Sequence, residues 1–378
     1  MRLSFSLLIV VFVFSCQPKE NTVTQSPVSG EVRTNIKYAK GFTVTYLENS
    51  KLVEVTKPYA TASTGIKYLL VQNGSAVPKH DKNTKVITVP ITRMVCTSTS
   101  HIPLLDYLDE TNALVGFPTT DYISSEKMRN RIDEGFVEEL GIDKSLNIER
   151  LALLKPDLVM GYTVSGDLGQ FKKIEELNTP VVVNGEYLEE HPLGRAEWIK
   201  FMALFFNKEE MADSVFSEIE KGYLQPKALA SDITIRPTVM SGVVYGDTWF
   251  LPGGKNYAAK LLKDAGCQYV WEDNDSNGFL QLSFETVYEK AHATDLWIGV
   301  ASFKSLKEIE DADKRYTKFS AFQNRNVFTY DTRKGAKGGS EFLELGYLRP
   351  DLILKDLVKI AHPELLPEHT LFFHNQLK

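Results

Sequence analysis

Leu146-Asn147-Ile148-Glu149-Arg150-Leu151, followed by Lys155-Pro156-Asp157-Leu158-Val159-Met160, decides how this chain is read. Asn147 is a natural helix N-cap, the glutamate falls two residues into the helix, and an apolar strand follows after a short connection. The same order returns in the second half. There Leu282-Ser283-Phe284-Glu285-Thr286-Val287 leads into Ala293-Thr294-Asp295-Leu296-Trp297-Ile298, with Ser283 at the cap. An acidic residue in a first helical turn meets the positive end of the helix dipole, worth about 0.3–1 kcal/mol, and that alone accounts for both glutamates.

Around the first copy the pattern alternates. Strands are predicted at 93–97, 113–117, 157–162 and 180–183, with helices at 102–108, from Ile148 and at 168–177. Around the second copy come a strand at 238–245, helices at 257–265 and from Phe284, strands at 295–300 and 326–330, and a terminal helix from Pro350. Such alternation on short connections implies right-handed crossovers and parallel sheets covered on both faces. Between the halves, Asn207-Lys208-Glu209-Glu210 has the spacing of a capping box, and Met211, Val215, Phe216, Ile219 and Tyr223 continue a helical stripe. A helix over 208–227 would be on the order of 30 Å long. Before the first alternation, Phe42-Thr43-Val44-Thr45-Tyr46 and Lys67-Tyr68-Leu69-Leu70-Val71 are strand-like runs between turn residues. The expected class is α/β: two lobes, each a mostly parallel sheet flanked by helices, joined by one long helix, with an extra N-terminal β-rich segment. The expected boundaries are a β-rich extension over 35–90, lobes over 91–206 and 231–378, and the joining helix over 207–230.

The first residues read as an export signal. One arginine, an apolar run from Leu3 to Phe14 and a small residue before Cys16 match a signal peptide over 1–15. The run is shorter than the roughly 20 apolar residues that span a bilayer. Val13-Phe14-Ser15-Cys16 resembles a bacterial lipobox, although the usual pattern begins with Leu. Lipidation at Cys16 and a flexible tether over 16–34 are therefore expected, with the acyl chains anchoring the protein to a membrane. The rest is ordinary globular material, 43% hydrophobic and 24% charged, and its formal net charge of -6 argues against a nucleic-acid partner. Cys96 and Cys267, in opposite lobes on this reading, are expected in the cores. No CxxC or HExxH spacing supports a resident zinc.

With these residues assembled, the chain resembles the binding proteins that serve ABC importers of iron-siderophores, haem and vitamin B12. The likeness runs from about Ile91 to Leu366 and is most specific in the Asn-Ile-Glu-Arg-Leu…Lys-Pro-Asp-Leu-Val segment. It implies that ligand lies between the lobes, that the joining helix resists wide opening, and that Glu149 and Glu285 dock arginines of a permease dimer coupled to its ATPase. It implies a monomer in the bacterial periplasm, with no resident cofactor and any iron or cobalt arriving inside the chelate. Iron-siderophore leads, followed by cobalamin and then haem.

Candidate ligand contacts sit where α/β sheets commonly bind, at the C-terminal ends of strands. In the first lobe these are Ser98, Thr99, Ser100 and His101, at a strand-to-helix junction whose free N–H groups favour anions. Ser100 as a helix cap and His101 as a solvated side chain is the competing reading. Tyr122 and Tyr162 could stack or donate hydrogen bonds, or merely edge the core. In the second lobe Tyr245 and Trp249 could form an aromatic wall. Arg333 opens a basic Gly-rich loop suited to carboxylates or phosphate, and Arg349 could reach the cleft or bond Glu344. From another class, an exported hydrolase is disfavoured because no Gly-x-Ser-x-Gly elbow is present and no Ser/His/Asp set can be assigned.

Overall fold

The computed structural model describes residues 34–378; the expected signal peptide, Cys16 and nearly all of the expected tether lie outside the described residues. The β-rich extension is a four-stranded sheet in the order β1 (Phe42–Tyr46), β2 (Ser50–Val55), β3 (Ile66–Gln72), β4 (Lys85–Val89). The first three pair antiparallel, and β4 runs parallel to β3 with Leu70 opposite Ile87. Its apolar face joins the core of the first lobe, with Phe42 edge-on to Trp198 and Phe201.

The first lobe is a five-stranded parallel sheet. Its strands are β5 (Met94–Cys96), β6 (Leu114–Phe117), β7 (Glu138–Glu139), β10 (Leu158–Gly161) and β11 (Val181–Val183), in the spatial order β11-β10-β5-β6-β7. A small hairpin, β8 (Gly141–Ile142) with β9 (Ser145–Leu146), follows β7. Helices α1 (Ile102–Tyr107), α2 (Glu126–Asp133), α3 (Ile148–Leu154), α4 (Gly169–Glu176), α5 (Pro192–Ala196) and α6 (Trp198–Ala203) cover it. The strands are buried on both faces, as parallel strands are. Met94, Cys96, Leu158 and Met160 face the main core, while Val95, Val159 and Val181 pack with Leu151 and Phe171 on the other side. The sequence pattern placed no helix over the polar 118–145 stretch; α2 forms there because Ser125 caps it, its hydroxyl accepting from Met128 N.

The joining helix, α7 (Glu209–Ser231), has 23 residues, and so is about 34 Å long. Its start corrects the capping-box reading. Asn207 takes a left-handed φ of 55° and pairs its amide with Gln72 and Lys51, and Lys208 occupies the cap without a side-chain bond. The buried Lys51 also pairs with Glu209, so tertiary contacts with the extension set this helix end.

The second lobe repeats the plan in the order β15-β12-β17-β18-β19, from β12 (Thr238–Ser241), β15 (Gln268–Tyr269), β17 (Leu296–Ile298), β18 (Val327–Thr329) and the antiparallel edge β19 (Asn375–Gln376). The single strand expected over 238–245 is broken at Gly242, whose φ of 80° sends the chain into a second sheet. That antiparallel sheet is β13 (Val243–Tyr245), β14 (Thr248–Pro252) and β16 (Phe279–Leu282). Helices α8 (Tyr257–Asp264), α9 (Phe284–Ala291), α10 (Leu306–Ala312), α11 (Ser320–Gln323), α12 (Glu341–Leu345) and α13 (Pro350–Ala361) complete it, with α13 packed along α7. Cys96 and Cys267 are free and buried in their separate lobes. Among the described residues no helix is long and apolar enough to cross a membrane.

Candidate functional site: the cleft between the lobes

The central strand β5 is fully buried, and its chain emerges at Thr97 and Ser98 into a 3-10 turn before α1. Ser98, not Ser100, caps that turn, its hydroxyl accepting from Ser100 N at 3.3 Å. The Ser100 hydroxyl instead donates to Glu186 Oε1 at 2.6 Å. His101 is neither solvated nor in the cleft: it is fully buried, both ring nitrogens lack partners, and burial lowers its pKa so that it stays neutral. The junction enters α1 through a tight turn that puts Ser100 and His101 on the inside, leaving Ser98 and Thr99 toward the opening.

Those two residues, with Thr97, Phe117, Tyr122, Asp143, Lys144 and Tyr162, line a cavity of about 330 Å3 at the strand ends of the first lobe. The β8–β9 hairpin presents Asp143 and Lys144 at its turn, and Glu139 secures the facing loop by accepting from Thr119 N and Thr120 N at 2.8 and 2.7 Å. Burial, then the neighbouring Asp143 carboxylate, pushes the Tyr162 phenol up to about 12. It therefore remains neutral and acts as a hydroxyl donor. Burial raises Asp143 as well, while the Thr97 hydroxyl, then the Tyr162 hydroxyl and Lys144, act in the opposite direction. Thr97 lines the cavity and is buried, with its hydroxyl turned to the Asp143 carboxylate. Tyr122 stands 64% exposed at the rim.

Across the cleft the second-lobe expectations divide. Trp249 is 0% exposed: it donates to Ser241 O at 3.1 Å and is packed among Phe284, Trp297, Tyr316 and Phe319, so it is core and no cleft wall. Strand alternation on β14 turns Trp249 inward and Phe250 outward. Tyr245, 82% exposed at the hairpin end, leans edge-on toward Phe250 and is available.

The basic loop grips its own chain. Arg333 pairs with Glu341 at 2.7 Å and lies 4.2 Å over the Phe372 ring, and Lys334 pairs with Asp331 at 2.5 Å. Its glycines allow close approach: a Cβ on Gly339 would collide with the Tyr122 carbonyl, and one on Gly335 with Ser124 Cα. The loop is thus a strap from the second lobe onto the first. Glu344 completes it, accepting from Ser124 N at 2.6 Å and Ser125 N at 2.8 Å. Burial lifts this carboxyl to about 7, the two N–H donors pulling the other way. Arg349 bonds neither ligand space nor Glu344; it forms a bidentate pair with Asp351 at 2.8 Å and donates to Tyr107 OH at 2.7 Å across the lobes. A second cavity, about 630 Å3, lies beside the strap between α1, α2 and α12.

Asp143 and Lys144 escaped the sequence reading, and Glu344 entered it only as a partner for Arg349. A Gly-x-Asp-Lys turn was the one available signal for the first two; nothing local marks Glu344. Arg195 escaped it too, and its guanidinium sits 4.1 Å over Tyr257 and 4.9 Å over Tyr347 of the other lobe.

The duplicated helix starts form as their sequences dictate. Asn147 accepts from Arg150 N at 2.9 Å and Ser283 from Thr286 N at 3.1 Å. Glu149 and Glu285 are both exposed, and Glu285 carries a surface pair with Arg315 at 3.1 Å.

A long joining helix, two lobes built on parallel sheets and a cleft at their strand ends define a bilobed solute-binding protein. Residues 94–333 match the family model described as periplasmic binding protein, and the chain belongs to that family. An uncharacterized lipoprotein of Methanocaldococcus jannaschii is 28% identical over 366 residues, covering 90% of this chain and 85% of the relative. Among solved structures, the periplasmic haem-binding protein RhuT from Roseiflexus is 17% identical with a TM-score of 0.56, covering 72% of this chain and 98% of its own. The siderophore-binding protein FhuD from Vibrio cholerae, solved with Fe3+-Desferal, is 16% identical with a TM-score of 0.53, covering 72% and 99%. These likenesses are of fold.

Proposed function

We propose that the protein is the substrate-binding lipoprotein of an ABC importer, taking up a metal chelate between its lobes and handing it to a permease dimer. The observation that carries this reading is the pair of exposed glutamates, Glu149 and Glu285, repeated at capped helix starts, one on each lobe of a solute-binding fold. One exposed ion pair contributes less than about 1 kcal/mol, so the Glu285–Arg315 contact is easily exchanged for a permease arginine. Two such points on a rigid body must engage together, which gives geometric specificity. An iron-siderophore is the first candidate ligand, with cobalamin and haem as alternatives. Among the described residues there is no cluster of three His, Cys, Asp or Glu disposed to hold a metal ion. Export and lipidation at Cys16 would keep the receptor beside its permease on the outer side of the cytoplasmic membrane, and the lipoprotein relative supports that address.

Reversing both charges, Glu149→Lys with Glu285→Lys, should reduce uptake into cells at least tenfold while co-purified ligand, read by mass spectrometry and metal content, stays bound. Loss of the ligand together with uptake would assign these residues to folding or binding instead of docking.

A further inference from the structure

Most of the cations near the cleft are already committed, and the pattern restricts what can enter. Three that were expected to grip an anionic ligand are neutralised within the chain: Arg333 by Glu341, Lys334 by Asp331, Arg349 by Asp351. Arg195 lacks a carboxylate partner, but it donates to the carbonyls of Tyr187 and Glu189 and is flanked by two tyrosine rings. What the 330 Å3 cavity offers instead is Asp143, the phenol of Tyr162 and the hydroxyl of Thr97 turned to it, and one lysine, Lys144. Behind it lies a second carboxylate. Glu186 is buried, its Oε2 has no hydrogen-bond partner, and its field reaches Tyr162. Asp143 in the lining and Glu186 behind it, against one exposed ammonium, leave the cavity electronegative.

We propose that this site takes a ligand whose inserted end is neutral or cationic and carries N–H or O–H donors, and that Asp143 is the residue that enforces the preference. A ligand entering with free carboxylates would meet Asp143, with Glu186 behind it and only the exposed Lys144 to offset the two, and like charges held close in a partly dry site repel strongly. A ligand with amide or ammonium donors would instead bond the Asp143 carboxylate alongside the Thr97 and Tyr162 hydroxyls. The inference rests on the receptor reading above and narrows it by ligand charge, whatever metal the ligand holds.

The test is the affinity ranking of the full chain by tryptophan fluorescence or calorimetry with four probes: ferrioxamine B (a cationic hydroxamate chelate), cyanocobalamin (neutral, amide-rich), haemin (two propionates) and ferric citrate (polyanionic). Ferrioxamine B or cyanocobalamin should bind at least tenfold tighter than haemin and ferric citrate, and Asp143→Asn should narrow that gap by about tenfold, the worth of one close charge interaction. Tighter binding of haemin or ferric citrate by the native chain would overturn the inference and leave the receptor reading standing, and this ranking does not depend on the variant folding. An unchanged gap in a folded Asp143→Asn protein would remove Asp143 from the role. Binding of none of the four would overturn both readings.

Discussion

Glu344 carries a carboxylate from the second lobe onto the backbone of the first, at the capped start of α2. It is 2% exposed, and burial raises its pKa from the ordinary 4.5 to about 7. A raised acid binds its proton more tightly in the closed state than when hydrated. Its contribution to the closed state is therefore complete below about pH 4.5 and is lost as pH rises through 7. Asp106 on α1, itself raised by burial and bonded to Ser125 Oγ at 2.5 Å, slopes the same way; Arg129, Glu126, Arg333 and Glu341 border the same cavity. Between pH 4.5 and 8 the stability of the native protein should fall against that of Glu344→Gln by up to about 3 kcal/mol, read by urea unfolding. Parallel profiles for the two proteins would show that this group does not titrate there. At this scale the sequence was least informative. Trp249 and Tyr245 lie four residues apart in one motif, yet strand alternation buries one and exposes the other.

Among elements, the β-rich extension is bound to the first lobe by two buried carboxylates. Glu197 accepts from the backbone N–H groups of Lys37, Tyr38 and Ala39 at 2.7–2.9 Å and pairs with Lys200 at 3.1 Å. Glu189 accepts from Lys40 N at 2.8 Å, Gly41 N at 2.7 Å and Trp198 Nε1 at 3.1 Å. Removing one member of a buried, fully bonded set strands the others, so Glu197→Ala should cost about 3–5 kcal/mol in denaturant unfolding. A loss below about 1 kcal/mol would mean that water replaces the carboxylate freely. Alternation of strands and helices was legible from residue 91 onward because each element carries its own period and its own stop signals. Legibility failed where an element depends on something distant. The start of α7 is the clear case: a good local capping box yields to Lys51 and Gln72 from the extension.

For the whole molecule, the strap that closes the cleft depends on Gly339, which has no room for a Cβ against the Tyr122 carbonyl. Gly339→Ala should force the strap off the first lobe, at about 1–3 kcal/mol of closure. The expected readouts are a larger radius of gyration by small-angle scattering and weaker ligand retention, with an unchanged far-ultraviolet circular dichroism spectrum. A scattering curve identical to the native one would show that the strap does not hold the lobes. The strap also touches Tyr122, which lines the first-lobe cavity, so ligand and closure meet at one residue.

What the sequence determined by itself was local in origin: two α/β lobes, a long helix between them, and two capped helix starts each carrying a glutamate into its first turn. Hydrophobic period and capping chemistry need nothing beyond neighbouring residues. The tertiary structure decided the cleft. Whether a cation is free to hold a ligand depends on which carboxylate folds against it, and Arg333, Lys334 and Arg349 all proved to be answered from within the chain. Asp143, on a two-residue turn marked only by its Gly-x-Asp-Lys pattern, became a lining group because the sheet order brings that turn beside the ends of β5 and β10. Charge compensation and burial are properties of residues far apart in sequence, and no local period records them.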